Sequence, residues 1–114
     1  MKISLLRLRN RTERKRRLSA TNYVDLTLGV DRHASAPHIV TDIEEQQGGV
    51  FARNSFNNEF ADRVAFVSTS EPRCTMTCDH KEFIGRNGSL AHPAALWRVG
   101  LSGRDGAGLD PWRR

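Results

Sequence analysis

The sequence is short of cysteine, of aromatic residues and of long apolar runs, and each shortage removes a class of protein. Cysteine occurs only as Cys74 and Cys78. Four positions apart on an extended strand, the two would stand roughly 13 Å from each other, well beyond the ~7 Å between α-carbons that a disulfide tolerates. An intrachain bridge would require a sharp bend between them, so reduced thiols in a cytoplasmic setting are expected. No apolar run approaches the ~18 residues of a membrane helix. Arg7 and Arg9 also interrupt the opening Met1-Lys2-Ile3-Ser4-Leu5-Leu6 before it reaches the length of a signal-peptide core. Neither an export signal nor a membrane span is expected.

Aromatic residues make up 7% and hydrophobic residues 38% of the 114 residues. A domain of this size buries only about two-thirds of its unfolded surface, so one thin-cored domain of marginal stability, residues 1–114, is expected. Negative charge is nearly missing from the first 17 residues, where Glu13 alone faces Lys2, Arg7, Arg9, Arg11, Arg14, Lys15, Arg16 and Arg17. That segment carries +7 and the rest of the chain −2, so the basicity belongs to one stretch, not to the whole surface.

What is present is strand patterning. Leu18 to Gly29 alternates with period two, Leu18, Ala20, Asn22, Val24, Leu26 and Leu28 falling on one face. Lys2 to Arg9 repeats the pattern more weakly, and the two predict an antiparallel hairpin across a basic loop, Asn10 to Arg17. An irregular connector follows from Val30 to Pro37. His38 to Glu45 and Val50 to Arg53 predict a second hairpin, with Gly48-Gly49 supplying the turn. Arg63 to Thr69 is a compact β-branched and aromatic strand, with Cys74 to Cys78 as its expected return after the Glu71-Pro72-Arg73 turn. Asp79 can cap one helical turn that Gly85 ends. Beyond it, glycine and proline are too dense for an element of ordinary length. The expected class is all-β, mainly antiparallel: strands and hairpins over 1–86, then an irregular tail over 87–114. Leu90, Leu96, Trp97, Leu101 and Leu109 have no evident core of their own, which suggests a domain cut short.

Three blocks in fixed order carry a family resemblance: NSFNNEFADRVAF (Asn54 to Phe66), CDHKEFIGRNGSLAHPAAL (Cys78 to Leu96) and LSGRDGAGLDP (Leu101 to Pro111). With Leu6 to Ile43 before them, the chain resembles glycoside hydrolase family 94. The likeness is greatest to its cyclic β-1,2-glucan synthase branch, beside which stand the cellobiose and chitobiose phosphorylases. The resemblance implies a partial supersandwich, galactose-mutarotase-like in fold, that in the family precedes a helical (α/α)₆ barrel carrying the general acid. That barrel is not among these residues. In phosphorolytic relatives, phosphate displaces a β-linked glycosyl unit with inversion, in the place an inverting hydrolase gives to water. The sequence departs from the family wording at Met76, Cys78 and His80, and again at Trp112-Arg113-Arg114.

Within Glu82 to Ser89 (EFIGRNGS), Arg86 and Asn87 are the candidate substrate-binding residues. Their planar donors suit sugar hydroxyls, and Gly85 and Gly88 allow close backbone approach. No catalytic residue is assigned, because nothing isolates a carboxylate such as Asp42, Glu44, Glu45, Glu59 or Asp62 from water. His33, His38, His80 and His92 with the two cysteines match no zinc spacing, and no metal or cofactor is expected. The expected partners are a β-glucan or oligosaccharide, phosphate in the parent enzyme, and the remainder of that enzyme or a second copy. Nucleic acid is not expected, since RKRR (Arg14 to Arg17) lacks interleaved aromatics for base stacking. The competing reading is a small basic β protein that binds polyanions through Arg7 to Arg17.

Overall fold

A computed structural model describes residues 1–109 apart from Gln47. The ending Trp112-Arg113-Arg114, and with it the last part of the expected tail, lies outside the described residues. The scaffold is one open antiparallel sheet built from β1 (Ile39–Glu44), β2 (Gly49–Asn54), β3 (Val64–Ser68) and the two-residue β4 (Gly106–Ala107), in the order β3-β2-β1-β4. Two single helical turns accompany it, α1 (Arg32–Ser35) and α2 (His80–Ile84), with 3₁₀ turns at Ala36–His38 and Ala94–Trp97. The all-β, mainly antiparallel expectation holds.

The second hairpin forms as its sequence predicts. Gly48 takes the left-handed conformation, φ 63°, that the turn requires, and Ile39 pairs with Asn54 through to Glu44 with Gly49. β3 forms as predicted, but its partner is β2, with Phe66 opposite Phe51, and not Cys74 to Cys78. That stretch makes no ladder with β3. Cys78 N–H donates instead to the Arg104 carbonyl at 2.8 Å, and Gly103 N–H to the Met76 carbonyl at 2.9 Å. The connector is not irregular throughout, since Asp31 caps α1 by accepting from His33 N–H at 2.9 Å.

The first predicted hairpin does not form. Residues 1–28 contain no strand, and Ile3, Leu5, Leu6, Leu8, Leu18 and Val24 are exposed. The reason is electrostatic and cooperative. Arg7 and Arg9 on one arm would face Arg16 and Arg17 on the other, and like charges opposite each other destabilise a pair. A two-stranded ribbon with no third strand or covering layer is marginal in water. The radius of gyration, 15.8 Å, exceeds the ~13 Å of a compact chain this long.

The core is correspondingly thin. Among the described residues Ala36, Ile39, Ala52, Phe83, Ile84 and Ala95 are the buried apolar ones, and no large side chain is fully enclosed. Strand pleating divides the sheet. Ile39, Thr41, Val50, Ala52 and Val67 share the sheltered face, whereas Phe51, Val64 and Phe66 stand exposed on the other, the two phenyl rings 6.4 Å apart. Asn54 ties the sheltered face to the earlier chain. Its Nδ2 donates to the Leu28 carbonyl at 2.7 Å and its Oδ1 accepts from Phe56 N–H at 3.0 Å, in a site where the residue is only 5% exposed. Asn54→Ala removes both hydrogen bonds and leaves the half-buried Leu28 carbonyl and the Phe56 N–H to water, so a loss of about 1 kcal/mol is expected in urea unfolding. A midpoint equal to that of the unsubstituted chain would show that Asn54 anchors nothing.

Candidate functional site

The candidate site is assembled on α2 and the turn that follows it. Asp79 sets the helix start by accepting from Lys81 N–H at 2.9 Å and Glu82 N–H at 3.3 Å, while its other oxygen accepts from Arg104 Nη1 at 2.9 Å. Glu82 stands three residues later, the position from which a capping-box acid reaches back to the N-cap. It reaches elsewhere. Its carboxylate accepts from Thr77 Oγ1 at 2.7 Å, Ser102 Oγ at 2.6 Å and Ser102 N–H at 3.0 Å.

These contacts fasten residues 101–109 along residues 75–80. Leu101 N–H donates to Thr75 Oγ1 at 3.0 Å and His80 N–H to the Leu109 carbonyl at 3.0 Å. The apolar side of α2 completes the unit: Phe83 and Ile84 pack with Ala95, and Tyr23 and Leu101 lean on them. Tyr23 meets the Phe83 ring at 5.3 Å and the His80 ring at 6.2 Å. Burial alone would push the Asp79 and Glu82 carboxyls up. The donors outweigh it: Arg104 and the Glu82 and Lys81 N–H groups hold Asp79 below its ordinary value, and Ser102, Thr77 and the charge of Arg98 do the same for Glu82.

On this frame sits the turn Gly85–Gly88. Gly85 N–H closes α2 on the Lys81 carbonyl at 3.0 Å, and Gly88 N–H returns to the Gly85 carbonyl at 3.3 Å. Both glycines are obligatory. Gly85 has φ 85° and a side chain there would run into the Ala94 methyl, while one on Gly88 would run into the Ile84 carbonyl. Arg86 and Asn87 are thus the two central residues of a tight turn, side by side and exposed. Neither side chain has a hydrogen bond or ion pair among the described residues. The two predicted residues, neighbours in the sequence, thus share one exposed turn.

Other candidates disperse. His38 stacks on Phe56 at 4.4 Å, His80 lies against Tyr23, and no three His, Cys, Asp or Glu converge among the described residues. Both thiols are free. Burial, together with the charges of Asp105 and Asp42, pushes the Cys78 thiol up despite a hydrogen bond with Thr41, the opposite of an activated nucleophile. An open groove of about 550 Å³ bordered by Glu44, Glu71, Cys74, Met76 and Ser102 does not include Arg86 or Asn87. Sequence reading found the Asp79 cap but missed Thr77, Ser102 and Arg104. Only the Asp79-x-x-Glu82 spacing hinted that Glu82 had a fixed partner.

Because both carboxyls titrate lower in the folded chain than unfolded, their stabilisation is complete above the ordinary carboxylate range and is lost as pH falls through their depressed values. Amide exchange at Leu101, Ser102 and Gly103 should therefore accelerate below pH ~4 before the β1–β2 hairpin opens. Asp79→Ala should release the same amides at neutral pH and cost about 1–2 kcal/mol. Unchanged protection there would refute the fastening role.

A family model described as glycosyl hydrolase 94, supersandwich domain, matches residues 1–112. The chain is 28% identical over 95 residues to a protein of Rhizobium meliloti (strain 1021), the cyclic beta-(1,2)-glucan synthase NdvB. That similarity covers 83% of this chain and 3% of the relative's length. No solved structure matches the chain. Among the described residues no helix is long and apolar enough to cross a membrane.

Proposed function

The chain belongs to the glycosyl hydrolase 94 supersandwich family, and from that premise we propose that it forms one sheet layer of a carbohydrate-active enzyme and contacts β-glucan through Arg86 and Asn87. The observation that carries this reading is the turn Gly85–Gly88, which holds two planar donor side chains at adjacent positions with no partner in the described chain. Sugar hydroxyls in vicinal pairs offer acceptors at matching spacing. A neutral ligand also suits a turn in which Arg86 is the only charge.

In this proposal residues 1–114 are a single partial sandwich domain. The exposed face bearing Phe51, Val64 and Phe66 is where the remainder of the enzyme, or a second copy, lays its own sheet, as two-layer packing requires. The substrates are oligosaccharides of the kind implied by the relative's name. The parent reaction is phosphorolysis of a β-glucoside or construction of a β-1,2-glucan, with phosphate as the partner in the first case. The reduced state of both thiols suits a cytoplasmic setting.

The chain alone is not catalytic in this reading. A glycosidase acid needs raised proton affinity in a cleft, whereas Asp79 and Glu82, the carboxylates the fold draws inward, are held ionised by their donors. Titration with a linear β-1,2-glucan should give saturable chemical-shift changes at residues 85–88. Arg86→Ala should weaken binding about ten-fold, the loss of one or two hydrogen bonds to a charged donor. No phosphate should be consumed from any β-linked disaccharide. Shifts confined to other regions would refute the assignment to Arg86 and Asn87, and turnover abolished by a point substitution in this chain would refute its inactivity.

A further inference from the structure

The basic segment contains a feature that its charge count alone does not reveal. Although residues 1–28 form no strand, the turn at Asn10–Arg14 is well fixed, because Asn10 acts as its hub. Asn10 Oδ1 accepts from Thr12 N–H at 2.9 Å and from Thr12 Oγ1 at 2.7 Å, and Asn10 Nδ2 donates to the Arg14 carbonyl at 2.7 Å. This is an Asx turn closed across four residues, so the arms leaving it have a defined separation. Between the arms lies a recess of about 280 Å³ lined by Leu8, Arg9, Arg11, Thr12, Arg16 and Leu18.

Three arginines therefore border one open, solvent-exposed recess. None of them has an ion pair or side-chain hydrogen bond among the described residues, and the nearest acid in sequence, Glu13, has none either. Cations gathered without a counter-charge repel one another, and an anion in the recess removes that repulsion and gains charge-assisted hydrogen bonds. The chemistry selects the anion. Guanidinium forks match the tetrahedral oxygens of phosphate in bidentate pairs, which a single-point ammonium does not. Leu8 and Leu18, both exposed, add an aliphatic surface against which the carbon skeleton of an ester can lie.

We propose that Arg9, Arg11 and Arg16, fixed by the Asn10 turn, form a binding site for a phosphate group, either inorganic phosphate or a sugar phosphate. The site is separate from Arg86 and Asn87 and stands whether or not those residues contact glucan. It differs from a diffuse polyanion surface in a measurable way. One phosphate group saturates it, and its salt dependence reflects one ligand, not many released counterions.

The test is titration of the full chain at low ionic strength, followed by the amide and arginine Nε resonances, with inorganic phosphate, glucose 1-phosphate and heparin in separate arms. Saturable shifts are expected at residues 8–18 with either phosphate ligand in the millimolar range. Equal affinity for the two identifies the phosphate group as the whole determinant, and tighter binding of glucose 1-phosphate adds the leucine surface. The double substitution Arg9→Gln/Arg16→Gln should weaken binding by about ten-fold or more, and Asn10→Ala, which retains every cation but loses the hub, should also weaken it. Lys2→Gln, away from the recess, should leave it unchanged. Heparin binding without saturable phosphate binding would overturn the proposal in favour of an extended polyanion surface. Loss of affinity in equal measure with Lys2→Gln would overturn it too, since that is the behaviour of net charge and not of a site.

Discussion

The arrangement of the second half of the chain depends on two carboxylates in a single helical turn. Asp79 and Glu82 lie one turn apart on α2, yet they face different partners: one holds Arg104 and the helix N-terminus, the other holds Thr77 and Ser102. Together they convert a glycine-rich stretch with little intrinsic order into a strip that follows residues 75–80 and ends by adding β4 to the sheet. Thr41 makes the last connection, its hydroxyl lying 3.2 Å from both the carbonyl and the N–H of Gly106. With few apolar residues available, polar contacts take over the organising role, and buried acceptors are suited to it because each is expensive to leave unmatched.

The same scarcity explains the shape of the sheet. β2 is its best-enclosed strand, with Ala52 1% exposed, because β1 and β3 flank it on both sides. The opposite face keeps its phenylalanines in water. A sandwich buries both inner faces of its sheets, and here one layer stands by itself among the described residues. The similarity to the glucan synthase covers 3% of that relative's length.

Sequence reading succeeded where the determinants are local. The β1–β2 hairpin needed a glycine with positive φ, the β3 strand a β-branched run, and α2 an acidic cap and a terminal glycine; all four signals lie within a few residues of what they control. It failed where strand formation depends on neighbours. Residues 18–28 alternate cleanly, yet the ladder partner that would make them a strand is not among the described residues. Their strongest tertiary contact also comes from Tyr23, on the face read as polar. The turn Gly85–Gly88 was legible because two glycines at that spacing constrain the backbone. Ser102 and Arg104 were not, since a hydroxyl or guanidinium twenty or more residues from its acceptor leaves no periodic trace, and Thr77, five residues before Glu82, fits neither a helical nor a strand period.

β3 has a neighbour on one side only. Its outer row of N–H and C=O groups carries no proline and no inward-pointing charge from Val64 to Ser68, the devices by which natural sheets discourage strand addition. Any extended peptide of suitable register can therefore continue the sheet there. At high concentration the extended segment that adds there can come from a second copy, which makes this border the place on the sheet most open to self-association.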